Sequence, residues 1–186
     1  MPDSSSSPVR VVFATPEHVG HASALAALID AAAQDPNTGL ARRTATYIAE
    51  KMRAGNAVIA IGPGDEAAGF CYVETWEHGQ YIANSGLIVS PDFRGHGLAK
   101  RIKACAFELS RTKYPDAKVF GLTTSPAVMS INSDLGYRPV AFAELTSDDA
   151  FWAGCQTCAF FDVLTRTHRV NCLCTGMLYD PTRHEP

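Results

Sequence analysis

Three apolar runs that follow one another with only short turns between them constrain the fold of this chain most strongly. They cover residues 57–61, 67–76 and 81–89. The segments between them, 62–65 and 77–80, read Gly-Pro-Gly-Asp and Glu-His-Gly-Gln. Apolar and β-branched runs bounded by glycine, proline and polar residues are typical of strands joined by tight turns. The middle of the chain therefore predicts three consecutive strands, the first two forming a hairpin.

Helical patterns precede and follow these strands in the sequence. Threonine or serine followed by proline marks two helix starts, and apolar residues recur at helical spacing in each helical segment. The predicted helices cover residues 15–34, 44–55, 98–113 and 125–136. Further strands are predicted at 9–14, 118–124, 139–145 and 172–179. This order of elements predicts a mixed α/β domain.

The length and composition fit one globular unit. The chain has 186 residues, of which 46% are hydrophobic and 19% charged. A domain of this size buries enough surface to be stable without disulfides or a bound metal. Residues 1–8 are rich in serine and predict a disordered tail. We expect a single domain over 9–186, with 146–174 a cysteine-rich insert before the last strand.

The net charge and the length of the apolar runs argue against nucleic acid and membranes as partners. Sixteen basic and nineteen acidic residues give a net charge of −3, whereas proteins that bind nucleic acid usually carry a basic excess. No apolar run approaches the roughly 18 residues of a membrane span, and the N-terminus lacks the pattern of a secretory signal. We expect a cytoplasmic protein with no nucleic-acid or membrane partner.

The most informative segment is residues 87–100, where a strand runs through a proline turn directly into a helix. The turn carries Arg94 and two glycines, Gly95 and Gly97, that let the backbone approach a ligand closely. The unpaired first amides of a helix and the positive end of its dipole make an anion site. Further positive charge near the start of this helix comes from Lys100, Arg101 and Lys103.

Other interpretations of the turn are open or excluded by its sequence. The two glycines could merely shape a tight strand-to-helix connection. A P-loop requires Gly-Lys-Ser/Thr after its last glycine, but Leu98 and Ala99 stand there. A dinucleotide-binding turn follows the first strand and has a third glycine, and neither condition is met.

The run V-S-P-D-F-R-G-H-G-L-A at 89–99 resembles the acyl-CoA binding motif of the GNAT superfamily of N-acetyltransferases. The order of elements over 9–145 is similar to that fold as well. The resemblance implies a single GNAT-like α/β domain with a mixed, mostly antiparallel sheet flanked by helices. It also implies acetyl-CoA as the co-substrate, a small-molecule amine as the acceptor, and a tendency to form homodimers. One departure is Asp92, where the family often has Gln or Arg.

The resemblance also implies which residues hold the co-substrate. The pyrophosphate is expected at the main-chain amides of Arg94, Gly95, His96, Gly97, Leu98 and Ala99, with Lys100 beside them. The acyl-pantetheine arm is expected along the preceding strand at Leu87, Ile88 and Val89.

Residues 124–139 resemble the later motif of the family, in which a helix ends in Leu-Gly-Phe/Tyr. The position that in many members holds a tyrosine, the general acid for the CoA thiolate, is Asn132 here. Since asparagine cannot usefully donate a proton, we expect Asn132 to bond the co-substrate instead. The thiolate would be protonated by Tyr137, by water or by the departing amine, and the sequence does not choose among them.

Amine acetylation also needs a base and a place for the acceptor. Glu74 lies on the strand beside the acyl arm, and Glu77 and His78 lie in the turn after it; each is a candidate base or a solvated surface residue. The resemblance places the acceptor near the first two helices, where Arg42 and Arg43 either clamp the carboxylate of an amino-acid-like acceptor or are solvated.

Four of the six cysteines fall in the last 32 residues. Cys155 and Cys158 form a C-x2-C pair, and Cys172 and Cys174 form a C-x-C pair whose side chains share a face if they lie on a strand. In a reducing compartment this pattern favours a structural zinc site over disulfides. His168 could replace one ligand, and unligated or redox-labile thiols remain the alternative.

The sequence therefore predicts an acetyl-CoA-dependent N-acetyltransferase that acts on a small, possibly amino-acid-like amine by direct attack in a ternary complex. Glu74, Asn132 and Tyr137 are its candidate catalytic residues. The alternatives are an acyl-CoA-binding regulatory module without catalysis and a zinc-bearing interaction protein.

Overall fold

The computed structural model describes residues 8–183, so the predicted tail over 1–8 lies almost entirely outside the described residues. The strands are β1 (Arg10–Phe13), β2 (Ala57–Ile61), β3 (Ala67–Trp76), β4 (Tyr81–Val89), β5 (Lys118–Thr123), β6 (Arg138–Val140) and β7 (Thr175–Tyr179). The α-helices are α1 (Ala22–Ala33), α2 (Ala45–Arg53), α3 (Leu98–Lys113), α4 (Pro126–Asp134), α5 (Asp149–Ala153) and α6 (Phe161–Arg166). Among these residues no helix is both long and apolar enough to cross a membrane.

The strands form one sheet in the order β1-β2-β3-β4-β5-β7-β6. Every neighbouring pair is antiparallel except β4 and β5, which run parallel because α3 connects them. The last strand, β7, inserts between β5 and β6. The predicted α/β class with a mixed, mostly antiparallel sheet flanked by helices is confirmed.

Strands β4 and β5 stay together for only a short distance. Their register pairs 81–83 with 118–120, yet β4 continues to Val89 and β5 to Thr123. Beyond Ala83 and Phe120 the two strands therefore diverge and leave an opening in the middle of the sheet.

Helices cover both faces of the sheet, which explains why the run 57–61 is apolar at every position. Val58 and Ala60 pack with Ile102 of α3 on one face. Ile59 and its neighbours on β2 pack with Ile48 of α2 on the other face. A strand that is buried on both sides has no polar alternation, and all five residues of β2 are buried.

The C-terminal part departs from the sequence-based expectations. The predicted strand 139–145 ends at Val140 and turns into a short 3-10 segment, and the predicted strand 172–179 begins only at Thr175. Helices α5 and α6 were not predicted, because short apolar runs do not distinguish a helix from a strand. Burial of Trp152 and Leu164 against the β5 side of the sheet holds them in place. The first predicted helix likewise starts as a 3-10 turn, Pro16–His21, before α1.

A bulge interrupts β4 beside the opening. Phe70 pairs with Ile88 and Tyr72 with Ser85, so one residue of β3 faces two residues of β4. Gly86 lies in this bulge at a φ of 64°, where the left-handed region favours glycine. A Cβ atom at Gly86 would come within 2.3 Å of the Tyr72 ring.

We predict that Gly86→Ala lowers the free energy of unfolding by about 2–4 kcal/mol, because strain at a positive φ adds to a collision with a buried ring. Urea unfolding followed by circular dichroism measures this loss. Gly20→Ala is the matched control, since an added Cβ there meets nothing within 4 Å. Equal stability of the two variants would contradict this account of the bulge.

Candidate active site

The opening between β4 and β5 leads into a cavity of about 650 Å³. One wall comes from the diverging strands, from Asn84 to Ile88 and from Gly121 to Thr123. The second wall is the segment 38–44 together with Tyr47, and the third is formed by residues of the segment 150–174. Three parts of the chain that are distant in sequence therefore enclose one space.

The turn before α3 has the geometry of an anion site. Gly95 and Gly97 have φ values of 82° and 70°, and Gly97 is the N-cap of α3 without a side chain that caps it. The first amides of such a helix have no intrahelical acceptor and point outward. A Cβ added at either glycine meets no atom within 4 Å, so backbone conformation rather than crowding explains these glycines.

The basic residues near this turn separate into different roles. Arg94 lines the cavity, and its Nε donates to the Val89 carbonyl at 3.2 Å. Lys100 pairs with Asp134 at 2.8 Å on the surface, and Arg101 donates to the carbonyl of Val9, the residue before β1. Lys103 was expected near the anion site at the start of α3. It is instead buried, with 2% of the residue exposed, and it is part of the cavity lining.

Of the three predicted strand residues, the cavity wall includes two. Leu87 and Ile88 line the cavity, whereas Val89 packs against the core on the α3 face. The bulge at Gly86 and Leu87 removes one residue of β4 from regular pairing with β3. A bulge of this kind leaves its extra residue outside the regular ladder of hydrogen bonds.

Asn132 lines the cavity and carries an unsatisfied buried polar atom. Its side chain is 1% exposed, and its Nδ2 donates weakly to Met177 Sδ at 3.7 Å. Its Oδ1 has no hydrogen-bond partner among residues 8–183. A buried acceptor without a partner is costly, so this atom fits a ligand that supplies an N–H or O–H group.

Tyr137 lies behind the cavity wall rather than on it. Its Oη donates to Asn84 Oδ1 at 3.1 Å, and its ring packs against Phe107. Burial raises the pKa of Tyr137 well above its ordinary value. Asn84, and not Tyr137, is the member of this pair that lines the cavity.

Glu74 lines the cavity as part of a bonded group. The Tyr47 hydroxyl donates to Glu74 Oε1, and Lys51 Nζ lies 3.0 Å from the same oxygen. Burial raises the pKa of Tyr47, so this hydroxyl keeps its proton and remains a donor. The carboxylate is thereby fixed at the cavity wall beside Tyr47.

Glu77 and His78 have a different setting. Glu77 Oε1 accepts from the Thr146 hydroxyl at 2.7 Å and from the Ser147 amide at 2.6 Å. These bonds, first that of Thr146, lower the pKa of Glu77. His78 is exposed in the turn, and the cavity wall includes neither residue. Glu77 fixes the chain that leads into α5.

The two adjacent arginines also separate. Arg43 Nε donates to Tyr72 Oη at 2.8 Å, and its Nη1 donates to the carbonyls of Arg42 and Gly154. The Arg42 side chain is exposed, while its amide donates to Thr157 Oγ1 at 2.9 Å. These bonds connect the segment 38–44 to the segment around α5 and hold the Arg43 guanidinium at the cavity wall.

The four C-terminal cysteines all line the third wall of the cavity. Cys174 is buried, and its Sγ lies 2.7 Å from where a Cβ of Gly39 would stand. Burial raises the pKa of Cys155 to about 11. Within residues 8–183 no three cysteine, histidine or carboxylate side chains are arranged to hold a metal ion. The structure thus gives no support to the predicted zinc ligands Cys155, Cys158, Cys172 and Cys174, whose thiols pack as an apolar wall.

The sequence profile of the acetyltransferase (GNAT) family matches residues 25–131, which is more than half of the chain. The chain belongs to this family. The expected family and the acetyltransferase class of enzyme are confirmed. A comparison with curated proteins gives no match.

Solved structures with the same fold include an N-acetylglutamate synthase from Neisseria gonorrhoeae, complexed with coenzyme A and N-acetyl-glutamate. That match has a TM-score of 0.65 at 17% identity and covers 94% of this chain and 35% of the other, so this chain spans about a third of that protein. Rv2747 from Mycobacterium tuberculosis, in complex with CoA and NLQ, matches with a TM-score of 0.64 at 17% identity over 92% of this chain and 98% of the other.

A third structure, yncA from Salmonella typhimurium with acetyl-CoA, is described as an acetyltransferase. It matches with a TM-score of 0.62 at 12% identity and covers 94% of this chain and 95% of the other. At such identities these structures establish the fold of the chain.

Sequence reasoning missed two features of the cavity. The burial of Lys103 was missed because an isolated lysine on a helix is ordinarily solvated. Asn84, a polar residue inside the strand 81–89, was the available signal, since a buried amide needs a partner. The contacts of Glu74 with Tyr47 and Lys51 join separate elements and left no local signal.

The bonds of Glu77 predict an acid-sensitive contribution to stability. Because its pKa is lowered in the folded state, the stabilisation is present above the unfolded-state pKa of about 4.3 and is lost as the pH falls through the folded-state pKa. We expect Glu77→Gln to cost about 1 kcal/mol at pH 7, a small loss because solvent screens the site.

Urea unfolding at pH 7 and at pH values below about 4 measures this change. The difference between wild type and Glu77→Gln should shrink on acidification, while the exposed control Glu17→Gln should follow wild type at every pH. A constant difference across the pH range would show that the charge of Glu77 does not contribute.

Proposed function

We propose that the protein transfers the acetyl group of acetyl-CoA to the amine of a small, amino-acid-like molecule, by direct attack in a ternary complex. One observation carries this proposal: a single cavity includes the opening of the sheet, Arg94 of the glycine turn, and the wall that bears Glu74 and Arg43. Both substrates therefore fit one continuous space.

The donor side of the cavity suits an acyl-CoA. Main-chain amides from Arg94 to Ala99 would bind the pyrophosphate, with Lys100 adjacent, and Leu87 to Val89 would flank the acyl-pantetheine arm. The Asn132 Oδ1 supplies a hydrogen-bond acceptor to the same ligand. The co-substrate provides the activated acetyl group. Co-substrate complexes of proteins with this fold support this assignment.

The charge of the cavity supports an acceptor with a carboxylate. The lining includes the cations of Arg42, Arg43, Arg94 and Lys103, whereas Glu74 is its one carboxylate in the described chain. The guanidinium of Arg43 is held rigidly at the wall, so it can bind a carboxylate with little loss of side-chain entropy. The N. gonorrhoeae protein of the same fold is complexed with N-acetyl-glutamate, an acylated amino acid.

Glu74 is the proposed base. It lines the acceptor side, and its bonds to Tyr47 and Lys51 leave its second carboxylate oxygen for the substrate. It would take the proton of the ammonium directly or through water. Tyr137, the other candidate, would act through Asn84, whose side chain it positions. Positioning of the two substrates supplies the main rate gain.

We further propose a single domain over 9–186 with an insert over 146–174, a cytoplasmic location and a homodimer. The sequence supports the first two, and the family tendency supports the third. A regulatory module that binds acyl-CoA without catalysis is the alternative, because Asn132 stands where many members have their acid. Release of CoA in the presence of amines distinguishes the two.

The test combines ligand binding with an amine panel. We expect acetyl-CoA to raise the melting temperature, and amines with a carboxylate to release CoA thiol faster than amines without one. Arg43→Met should raise the KM for such acceptors about tenfold or more, since a charged hydrogen bond is lost, and should leave kcat nearly unchanged. Arg53→Met, an exposed arginine at the end of α2, is the matched control.

Three outcomes would decide between the candidates. Stabilisation by acetyl-CoA without CoA release from any amine would favour the regulatory module. Release from neutral amines alone would refute the carboxylate preference but not the transfer. Absence of any effect of acetyl-CoA would overturn the proposal as a whole.

We also keep zinc binding by the four cysteines as a proposal. Its support is the proximity of the four thiols, which all line one wall of the cavity. Burial raises the pKa of Cys174, so zinc would have to stabilise the thiolate against this effect. The thiols would have to turn toward a common centre and ionise, since the described residues hold no ready metal geometry.

Metal analysis of the purified protein tests this site. We expect about one zinc per chain, lost in Cys155→Ser and retained in Cys105→Ser, whose half-buried thiol lies on α3 away from the cavity. A chain without zinc when purified from zinc-supplied cells would refute the site, and an equal metal content in both variants would refute these ligands.

A further inference from the structure

Lys103 closes the inner end of the opening between β4 and β5. Lys103 belongs to α3, which packs on one face of the sheet. A Cβ added at Gly121 on β5 would lie 3.8 Å from the Lys103 Nζ. The Nζ lies 3.4 Å from Asn84 Oδ1. Asn84 and Gly121 directly follow Ala83 and Phe120, the last paired residues of the two strands. The ammonium therefore lies where the strands begin to diverge.

This ammonium is buried without an opposite charge. The Lys103 residue is 2% exposed, and in the chain from 8 to 183 it forms no ion pair with a carboxylate. Its contacts are the neutral amide oxygen of Asn84 and the Tyr137 ring, whose centroid lies 5.1 Å away. A buried and unpaired charge destabilises the fold, so its presence at the cavity calls for a functional reason.

Burial and the neighbouring groups determine the pKa of Lys103. Burial lowers the pKa of Lys103 to about 8, and the Cys71 thiol on β3 opposes this shift. Burial raises the pKa of Cys71 to about 11 and that of Tyr137 further above its ordinary value. Asn84 and Gly121 do not titrate, so Lys103 alone in this group changes charge near pH 8.

We propose that Lys103 is a catalytic residue that donates its proton to the sulfur of CoA as the acetyl group leaves. This inference rests on the proposed function and adds the acid that the position of Asn132 lacks. The ammonium has two N–H groups beyond the one directed at Asn84, and Lys103 forms part of the cavity lining. Tyr137, in contrast, directs its hydroxyl to Asn84.

The proton and electron balance of the step is complete. The acceptor amine nitrogen forms a bond to the thioester carbonyl carbon, and the carbon–sulfur bond breaks with its electron pair moving to sulfur. A proton passes from Lys103 Nζ to that sulfur, which gives the CoA thiol and a neutral lysine. The acceptor ammonium first gives one proton through Glu74 to solvent, and after the attack the nitrogen gives its second proton to Glu74, which passes it to solvent. Solvent returns a proton to Lys103.

The first test needs only CoA and the analogue that lacks the sulfur, desulfo-CoA. The difference in ultraviolet absorbance between the two complexes follows thiolate formation as the pH rises. With wild type, the bound thiol should titrate at least one unit below its ordinary pKa of about 8.5, because the adjacent cation stabilises the thiolate. In Lys103→Met the pKa should return to the ordinary value or above it.

The second test is the rate of transfer. Lys103→Met should lower kcat about 100-fold or more and remove the fall of kcat above about pH 8, with the KM for acetyl-CoA within threefold of wild type. Lys113→Met, an exposed lysine on the same helix, should keep the wild-type rate and profile. Lys103→Met should also be at least as resistant to thermal unfolding as wild type, since a buried unpaired charge is removed.

The outcomes separate the two proposals. Wild type that binds CoA but acetylates no amine refutes the transferase and with it the catalytic role of Lys103, while the thiol titration still shows whether Lys103 acts on the bound sulfur. An equal thiol pKa in wild type and Lys103→Met, or a variant that keeps wild-type kcat and pH profile, refutes Lys103 alone. Failure of wild type to bind CoA overturns both.

Discussion

The separation of β4 from β5 after three paired residues is the constraint on which the candidate site depends. It creates the opening in an otherwise continuous sheet and exposes main-chain groups that a regular ladder would satisfy. The bulge at Gly86, the unsatisfied Asn132 Oδ1 and the buried Lys103 all border the space that this separation leaves. If the two strands stayed paired, the sheet would have no opening near the N-terminus of α3 at Gly97.

The central part of the fold was predictable because local and tertiary signals agree there. Strands 57–61, 67–76 and 81–89 and the helix 98–113 have the predicted bounds, since glycine and proline turns end each apolar run where burial ends. The segment 149–166 was not predicted, because its two short helices form only through burial of Trp152 and Leu164 on a sheet surface built elsewhere.

The candidate site divides in the same way. The glycine turn before α3 was predictable because Gly95 and Gly97 adopt the backbone conformation that their residue type suggests. The wall with Arg43 and Glu74 was not predictable, because their contacts with Tyr72, Gly154 and Lys51 join residues far apart in sequence. The burial of Lys103 was unpredictable for a related reason: it depends on where two strands part, which no local pattern records.

The three-part wall of the cavity has a consequence for how such a protein diverges. The segment 150–174 forms one wall of the cavity, yet it lies beyond residues 25–131, the part that the family profile matches. Changes of length or side-chain size in this segment would alter the volume of the cavity and leave the glycine turn before α3 unchanged. Divergence of one peripheral segment can thus reshape one cavity wall independently of the part that the family profile matches.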